Sequence, residues 1–293
     1  MTIEHTAGTV TIERLGPTHL AETFAFLDID PVLNVYLMAL ALRDALSRPH
    51  DEFWAARRDG EIVGLVHLGG QSGAVLPVGE DPTALRLLAD RVVSRLPALP
   101  SRYQVIGPRD AVAAVAERLR RDGVEPRLFR HQCYMSLDRG ALAEFERVPD
   151  LRRAVREDFD MLYASGAMLR LEELEEDPRL ADPASFAKRV EDECRDGYTH
   201  VWLDDEGLCF RASVSALTPE AAQVSGVYTP GERRRRGLAR RALSELCARL
   251  LDRSRAVCLF VNDFNAPALA LYRRIGFRVR ADWASGFYTT GAH

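Results

Sequence analysis

Between Val224 and Leu251 the chain reads VSGVYTPGERRRRGLARRALSELCARLL. A strand pattern ends at Thr229-Pro230, because Pro230 has no N–H with which to pair further. Arg233 to Arg236 follow. Gly237 and Ala239 then open an amphipathic helix with Leu238, Ala242, Leu246 and Leu250 on one face. Small residues at a helix start expose unpaired N–H groups at the positive end of the helix dipole, and such a place favours a phosphate. Gly237 lets the backbone approach an anion, where a side chain would block it. Four arginines stand poorly against that dipole on their own, which argues for an anionic partner. The spacing is R-x-x-G-x-A, at Arg234, Gly237 and Ala239. It is neither a Walker loop nor G-x-G-x-x-G. A solvated arginine run at a helix start fits the same residues.

A second segment, NDFNAPALALYRRIGF from Asn262 to Phe277, carries Asn265 and Tyr272. Asn265 with Pro267 starts a helix. Tyr272 follows seven residues later, about two turns on, so one helix face can present both. Asn265 equally reads as a plain N-cap, Tyr272 as a half-buried core tyrosine and Gly276 as a helix stop.

These segments need a frame of strands and helices. In the second half, Leu151 to Ala154 reads as a short strand, and Glu157–Leu174 and Ala187–Cys194 read as helices. Tyr198–Leu203 and Leu208–Ala216 form a hairpin, and Ala222–Thr229 is a strand. A helix at Gly237–Leu251, a strand at Ala256–Val261 and a helix at Pro267–Ile275 follow, before closing strands from Phe277 to Tyr288. The first half has a similar order: a strand from Ile12, helices at His19–Leu27 and Pro31–Leu46, and a hairpin around Arg58-Asp59-Gly60-Glu61. A helix at Pro82–Leu96, a strand at Tyr103–Ile106, a helix at Ala111–Arg121 and a strand at Leu128–Leu137 complete it. The polar run DRGALAEFERVPD, Asp138 to Asp150, separates the halves. Arg120-Arg121-Asp122-Gly123 and Arg273-Arg274-Ile275-Gly276 occupy equivalent places, which points to duplication. On that alignment Leu119 stands where Tyr272 stands. Glu80 and Asp81 stand where the second half has Arg233 to Arg236.

Length and composition set outer limits. The 293 residues suit about two domains, and 47% hydrophobic residues permit two cores. The net charge of −4 hides a gradient: −4 over residues 1–146, −8 over 147–206 and +8 over 207–293. Ordinary surface patchiness explains this, and so does a site with an anionic ligand at one end and a cationic one at the other. No apolar stretch is long enough to span a bilayer. Five scattered cysteines support neither a disulfide framework nor a zinc site, so no metal is expected. A reduced, cytoplasmic protein is the expectation.

Together the two segments resemble the GNAT superfamily of acyl-CoA-dependent N-acyltransferases. R-x-x-G-x-A after a strand matches its pyrophosphate motif. N-x-x-A-x-x-L-Y-x-x-x-G-F, at Asn265, Ala268, Leu271, Tyr272, Gly276 and Phe277, matches its second motif. The likeness covers about residues 150–290. The whole chain resembles bacterial two-domain members with a degenerate GNAT-like N-terminal domain, for which DIDPVLNVYL, Asp28 to Leu37, looks like the signature. The resemblance implies an α/β (α+β) chain of two tandem GNAT-like domains, 1–140 degenerate and 147–293 catalytic. Each would hold a mixed, largely antiparallel twisted sheet flanked by helices.

It also implies acetyl-CoA as co-substrate and direct transfer to a small-molecule or protein amine. Val227, Tyr228 and Thr229 would line the pantetheine arm, with backbone groups of Val227 and Thr229 pairing to it as an added strand. N–H groups from Arg235 through Gly237 and Leu238 to Ala239 would hold the pyrophosphate. Arg234, Arg235 and Arg236 would meet phosphates, and Asn265 the arm. Tyr272 would protonate the departing thiolate. Glu172 and Glu173 lie where the family forms its acceptor wall and are candidates for the base, although a solvated helix face also fits them. Gln223-Val224-Ser225 lacks the carboxylate that many relatives carry there. His200 reads as structural. A homodimer is compatible with this reading.

Two other readings stand beside it. A non-catalytic acyl-CoA-sensing module fits the fold, and the retained Tyr272 argues against it. RRRRGLARR as a nucleic-acid patch conflicts with the net charge and the lack of interleaved aromatics, so no nucleic-acid or membrane partner is expected.

Overall fold

The computed structural model describes residues 8–289. In chain order the first elements are β1 (Val10–Leu15), α1 (Leu20–Leu27), α2 (Val35–Asp44), β2 (Asp51–Arg58), β3 (Glu61–Gly69) and β4 (Ala74–Gly79). Then come α3 (Pro82–Arg95), β5 (Arg102–Pro108), α4 (Arg109–Arg121) and β6 (Leu128–Asp138). The second half holds β7 (Arg152–Arg153), α5 (Phe159–Leu174), α6 (Pro178–Ala181), α7 (Pro183–Asp196), β8 (Thr199–Asp204) and β9 (Gly207–Leu217). It ends with β10 (Ala221–Tyr228), α8 (Leu238–Leu251), β11 (Ala256–Asn262), α9 (Ala266–Ile275) and β12 (Arg278–Thr289).

The chain divides into two compact units, residues 8–134 with 280–289, and residues 135–279. In the first, the strand order is β1-β2-β3-β4-β5-β12-β6. β1 to β4 run antiparallel, β4 meets β5 in parallel, and β5 pairs antiparallel with β12 from Arg102↔Thr289 to Pro108↔Trp283. The β2–β3 turn places Asp59 at φ +52 and Gly60 at φ +89, the left-handed pair that suits a tight hairpin. β3 alternates between two cores. Val66 and Leu68 pack with Leu88, Val112 and Leu119 on one face. Leu65 packs with Leu27, Met38 and Phe53 on the other.

The DIDPVLN segment closes this unit. Asn34 Nδ2 donates to Leu27 O at 2.9 Å, and Leu33 N–H donates to Asp30 Oδ1 at 2.9 Å. Arg280 of β12 reaches Asp30 at 3.0 Å.

Two differences from the sequence expectation have physical causes. β4 escapes the strand pattern because Pro77 lies inside it, and proline argues against a central strand. The closing strands expected from Phe277 are one long strand, β12, whose residues from Arg280 onward belong to the first unit. β6 falls across the division, with Met135–Asp138 in the second unit. The compact units part at 134/135.

In the second unit the order is β6-β11-β10-β9-β8-β7. Leu162, Phe186, Val190 and Val201 form a core under α5 and α7. Arg211 on β9, 3% exposed, fastens both helices. Its Nη1 donates to Leu162 O at 3.0 Å, and its Nη2 to Glu193 at 2.8 Å. A buried guanidinium is tolerated because these acceptors meet it. Glu245 on α8, also buried, holds the linker: it accepts from Arg147 Nε at 2.7 Å, Arg249 Nε at 2.8 Å and Val148 N–H at 3.2 Å.

Candidate functional site

The site begins where two strands part. β10 runs parallel to β11 only from Ala221↔Ala256 to Gln223↔Cys258. Against β9 its register shifts twice, between Gln223 and Val224 and between Ser225 and Tyr228. Gly226 lies in the second shift at φ +59, a left-handed conformation that glycine adopts without strain. A Cβ there would stand 3.7 Å from Leu169 Cδ2 of α5, so the helix packs against this bulge. The bulged strand continues through Val227 and Tyr228 to Thr229, which is buried, with an Oγ1 that has no hydrogen-bond partner among the described residues.

Beyond Thr229 the loop makes a 3-10 turn, Gly231–Arg233, and enters α8 with Arg235 at φ +63 and Gly237 at φ +81. No side chain caps α8, and a Cβ on Gly237 would meet nothing within 4 Å. The first N–H groups of the helix, at Leu238 and Ala239, have no acceptor within it. Conformation together with open space thus accounts for this glycine.

The four arginines do not act as one group. Arg233 is buried and grips Asp204 of the β8–β9 turn, with Nη1 to Oδ1 at 3.0 Å. That hydrogen bond holds the Asp204 carboxyl below the usual range. Arg236 lies 3.1 Å from Glu206 of the same turn. Arg234 Nε donates to Thr229 O at 2.9 Å, its guanidinium lies 5.5 Å from the Tyr228 ring centroid, and its Nη2 bonds both Glu172 oxygens. Arg235 has no ion pair among the described residues.

Asn265 caps α9 by accepting from Ala268 N–H at 3.2 Å. Tyr272 is buried, and its ring lies 5.9 Å from that of Phe277. Burial and then the Glu173 carboxylate push its phenol up. Gly276 ends the helix at φ +120, against the Ala141 carbonyl, where a Cβ has no room.

Glu172 and Glu173, adjacent in sequence, part on the helix. Glu172 is held by Arg234. Glu173 is exposed to solvent, with protein packed around its carboxyl. Burial first, then the like charge of Glu172, pushes its carboxyl up to about 7. His200 lies on β8, where burial and Arg153 lower it to about 4. Gly226 and Leu169 escaped the sequence reading. The one signal was a glycine inside a strand pattern, which marks a bulge.

Residues 209–285, from β9 into β12, match the family model described as FR47-like protein. Residues 51–162 match a model described as Domain of unknown function (DUF4081). No curated protein matches the chain. Among solved structures, a GCN5-related N-acetyltransferase from Sphaerobacter thermophilus is 16% identical with a TM-score of 0.62, covering 97% of this chain and 96% of that one. An acetyltransferase from the GNAT family of Colwellia psychrerythraea is 12% identical with a TM-score of 0.56, covering 95% and 100%. A tandem GNAT protein from the clavulanic acid biosynthesis pathway is 14% identical with a TM-score of 0.52, covering 97% and 100%.

These similarities show that the chain has the fold of tandem GNAT proteins, with the FR47-like match confined to its second half. Both GNAT-like domains are present. In the first domain β4 also meets β5 over only two residues, Ala74 and Val75. There the N–H groups at the start of α3 are taken: Asp81 accepts from Thr83 and Ala84, each at 2.9 Å, and pairs with Arg58 at 2.6 Å. Leu119, the counterpart of Tyr272, is fully buried in the core. Among the described residues no cluster of His, Cys, Asp and Glu could hold a metal ion, and no helix is long and apolar enough to cross a membrane.

Proposed function

We propose that this tandem GNAT protein moves an acyl group, acetyl in the first instance, from a coenzyme A thioester directly to a primary amine. The observation that carries the reading is the parting of β10 from β11 after Gln223 beside the uncapped start of α8. A strand with one edge unpaired takes an amide-bearing arm as an added strand. A bare helix start takes a pyrophosphate.

The residues fit coenzyme A. The orphaned Thr229 hydroxyl lies along the arm's path, and the space over Gly237 leaves room for phosphate oxygens. Backbone groups of Val227, Tyr228 and Thr229 would bind the arm. N–H groups of Gly237, Leu238 and Ala239 would bind the pyrophosphate. Arg235, free of ion pairs, would meet a phosphate directly, and Arg234 and Arg236 would do so after leaving Glu172 and Glu206. Asn265 Oδ1 caps its helix, and its amide nitrogen would donate to the arm. Tyr272 would give its proton to the departing sulfur. Its raised pKa keeps it protonated, as a donor must be. Bringing the two reactants together supplies much of the rate.

Turnover of acetyl-CoA against a panel of small amines and amine-bearing peptides, with calorimetric titration of coenzyme A, tests this. Saturable binding with acetyl transfer supports it. Binding without transfer to any acceptor would favour an acyl-CoA-sensing module.

A further inference from the structure

We propose that Arg233 and Asp204 form a positioning pair that holds the α8 loop in its anion-binding shape, an inference that rests on the acyl-transfer reading above. The shape of the loop needs support. Between Arg234 and α8, Arg235 stands at φ +63 and Gly237 at φ +81. Left-handed backbone costs glycine little but strains an arginine, and it persists only where neighbouring contacts hold it. Successive N–H groups about such residues form a concavity for an anion. Whatever fixes Arg235 therefore fixes the phosphate cradle.

Arg233 is the anchor two residues earlier. Its N–H donates to Pro230 O at 2.9 Å, which closes the 3-10 turn. Its side chain is only 6% exposed, although it stands in a run of four arginines. The guanidinium reaches the β8–β9 turn and grips both Asp204 oxygens, with Nη1 to Oδ1 at 3.0 Å. A two-pronged grip of this kind fixes direction as well as distance. Nη2 also lies 3.3 Å from the buried Cys209 Sγ, and Nη1 3.5 Å from Glu206. Asp204 is itself held, since its Oδ1 accepts from Glu206 N–H at 2.9 Å.

The neighbouring arginines are held differently. The Arg234–Glu172 and Arg236–Glu206 pairs are about half exposed, and exposed pairs are weak enough to yield to an anion. Arg233 is not free to do the same. Leaving Asp204 would strand a buried guanidinium without its carboxylate, which is costly. On this assignment the first arginine of the run builds the loop, and the next three are left to serve phosphates.

The test compares the full-length wild type with Asp204→Asn, Arg233→Met and the double variant. Asparagine removes the charge yet can still accept from Glu206 N–H. The Asp204 side chain is 41% exposed, so Asp204→Asn carries the test if Arg233→Met does not fold. In Asp204→Asn the coenzyme A dissociation constant, read by calorimetry, should rise about tenfold as the loop loses its preorganisation. KM for acetyl-CoA should rise with it, while kcat at saturating acetyl-CoA stays within about twofold, because Tyr272 is untouched. The double variant should bind no more weakly than the weaker single variant, since the two residues act as one unit. Unchanged coenzyme A affinity in folded Asp204→Asn, a fall in kcat with affinity kept, or additive losses in the double variant would overturn the pair's role alone. Absence of coenzyme A binding by the wild type would overturn the acyl-transfer reading and this assignment with it.

Discussion

Glu172 on α5 holds Arg234 of the α8 loop, with Arg234 Nη2 at 2.9 and 2.7 Å from the two carboxylate oxygens. The contact ties the helix that carries Glu173 to the loop assigned to phosphate. Both side chains are nearly half exposed, so the pair is weak, on the order of 0.5 kcal/mol. It competes with any anion for the same guanidinium. Glu172→Gln should therefore tighten coenzyme A binding by about twofold at low salt, and the gain should shrink as salt rises. Calorimetry at two ionic strengths checks this, and weaker binding in the variant would contradict it.

Gly237 combines φ +81 with open space. Gly237→Asp should cost about 1 kcal/mol of backbone strain and place a negative charge where the pyrophosphate is assigned. Coenzyme A affinity should fall at least tenfold in a variant whose circular dichroism matches the wild type. Unchanged affinity in that folded variant would falsify the assignment of this loop.

Tyr272→Phe keeps the ring and removes the proton donor. Turnover should fall about a hundredfold while the coenzyme A dissociation constant moves little. If chemistry limits the wild-type rate and the variant keeps that rate, Tyr272 is not the acid.

One coenzyme A site per chain is expected, because Asp81 already satisfies the start of α3. Asp81→Ala should lower stability by about 1 kcal/mol through the lost cap without creating a second site. Calorimetric stoichiometry tests the count, and a second site surviving in Gly237→Asp would show that the first domain binds the cofactor.

Glu245 is buried, which alone would raise its pKa, yet hydrogen bonds from Arg147 and Arg249 bring its carboxyl down to about 2. A folded pKa below the unfolded value of about 4.3 stabilises the fold above that pH. The contribution is lost as pH falls from about 4 toward 2. Glu245→Gln should melt below the wild type at pH 7, and the gap should narrow at pH 3. A gap that widens on acidification would contradict this sign.

Local chemistry was legible in the sequence because it depends on neighbours along the chain. The strand ending at Pro230, the small residues opening α8, the Asn265 cap and the Gly276 stop are all short-range effects, and each stands where its residue type requires. The pairing of GNAT motifs followed from the same short-range signals. Tertiary structure decided which charges are free. Arg233, Arg234 and Arg236 look alike in a run, yet Arg234 meets Glu172 of α5 while Arg233 and Arg236 meet Asp204 and Glu206 of the β8–β9 turn, and Arg235 has no ion pair among the described residues. It also separated Glu172 from its neighbour Glu173, since Arg234, which holds Glu172, lies about 60 residues away in the chain. The same holds for β12, whose alternating pattern declares a strand but not which unit's sheet it completes. Strand pairing is set by long-range edge contacts that no local pattern encodes.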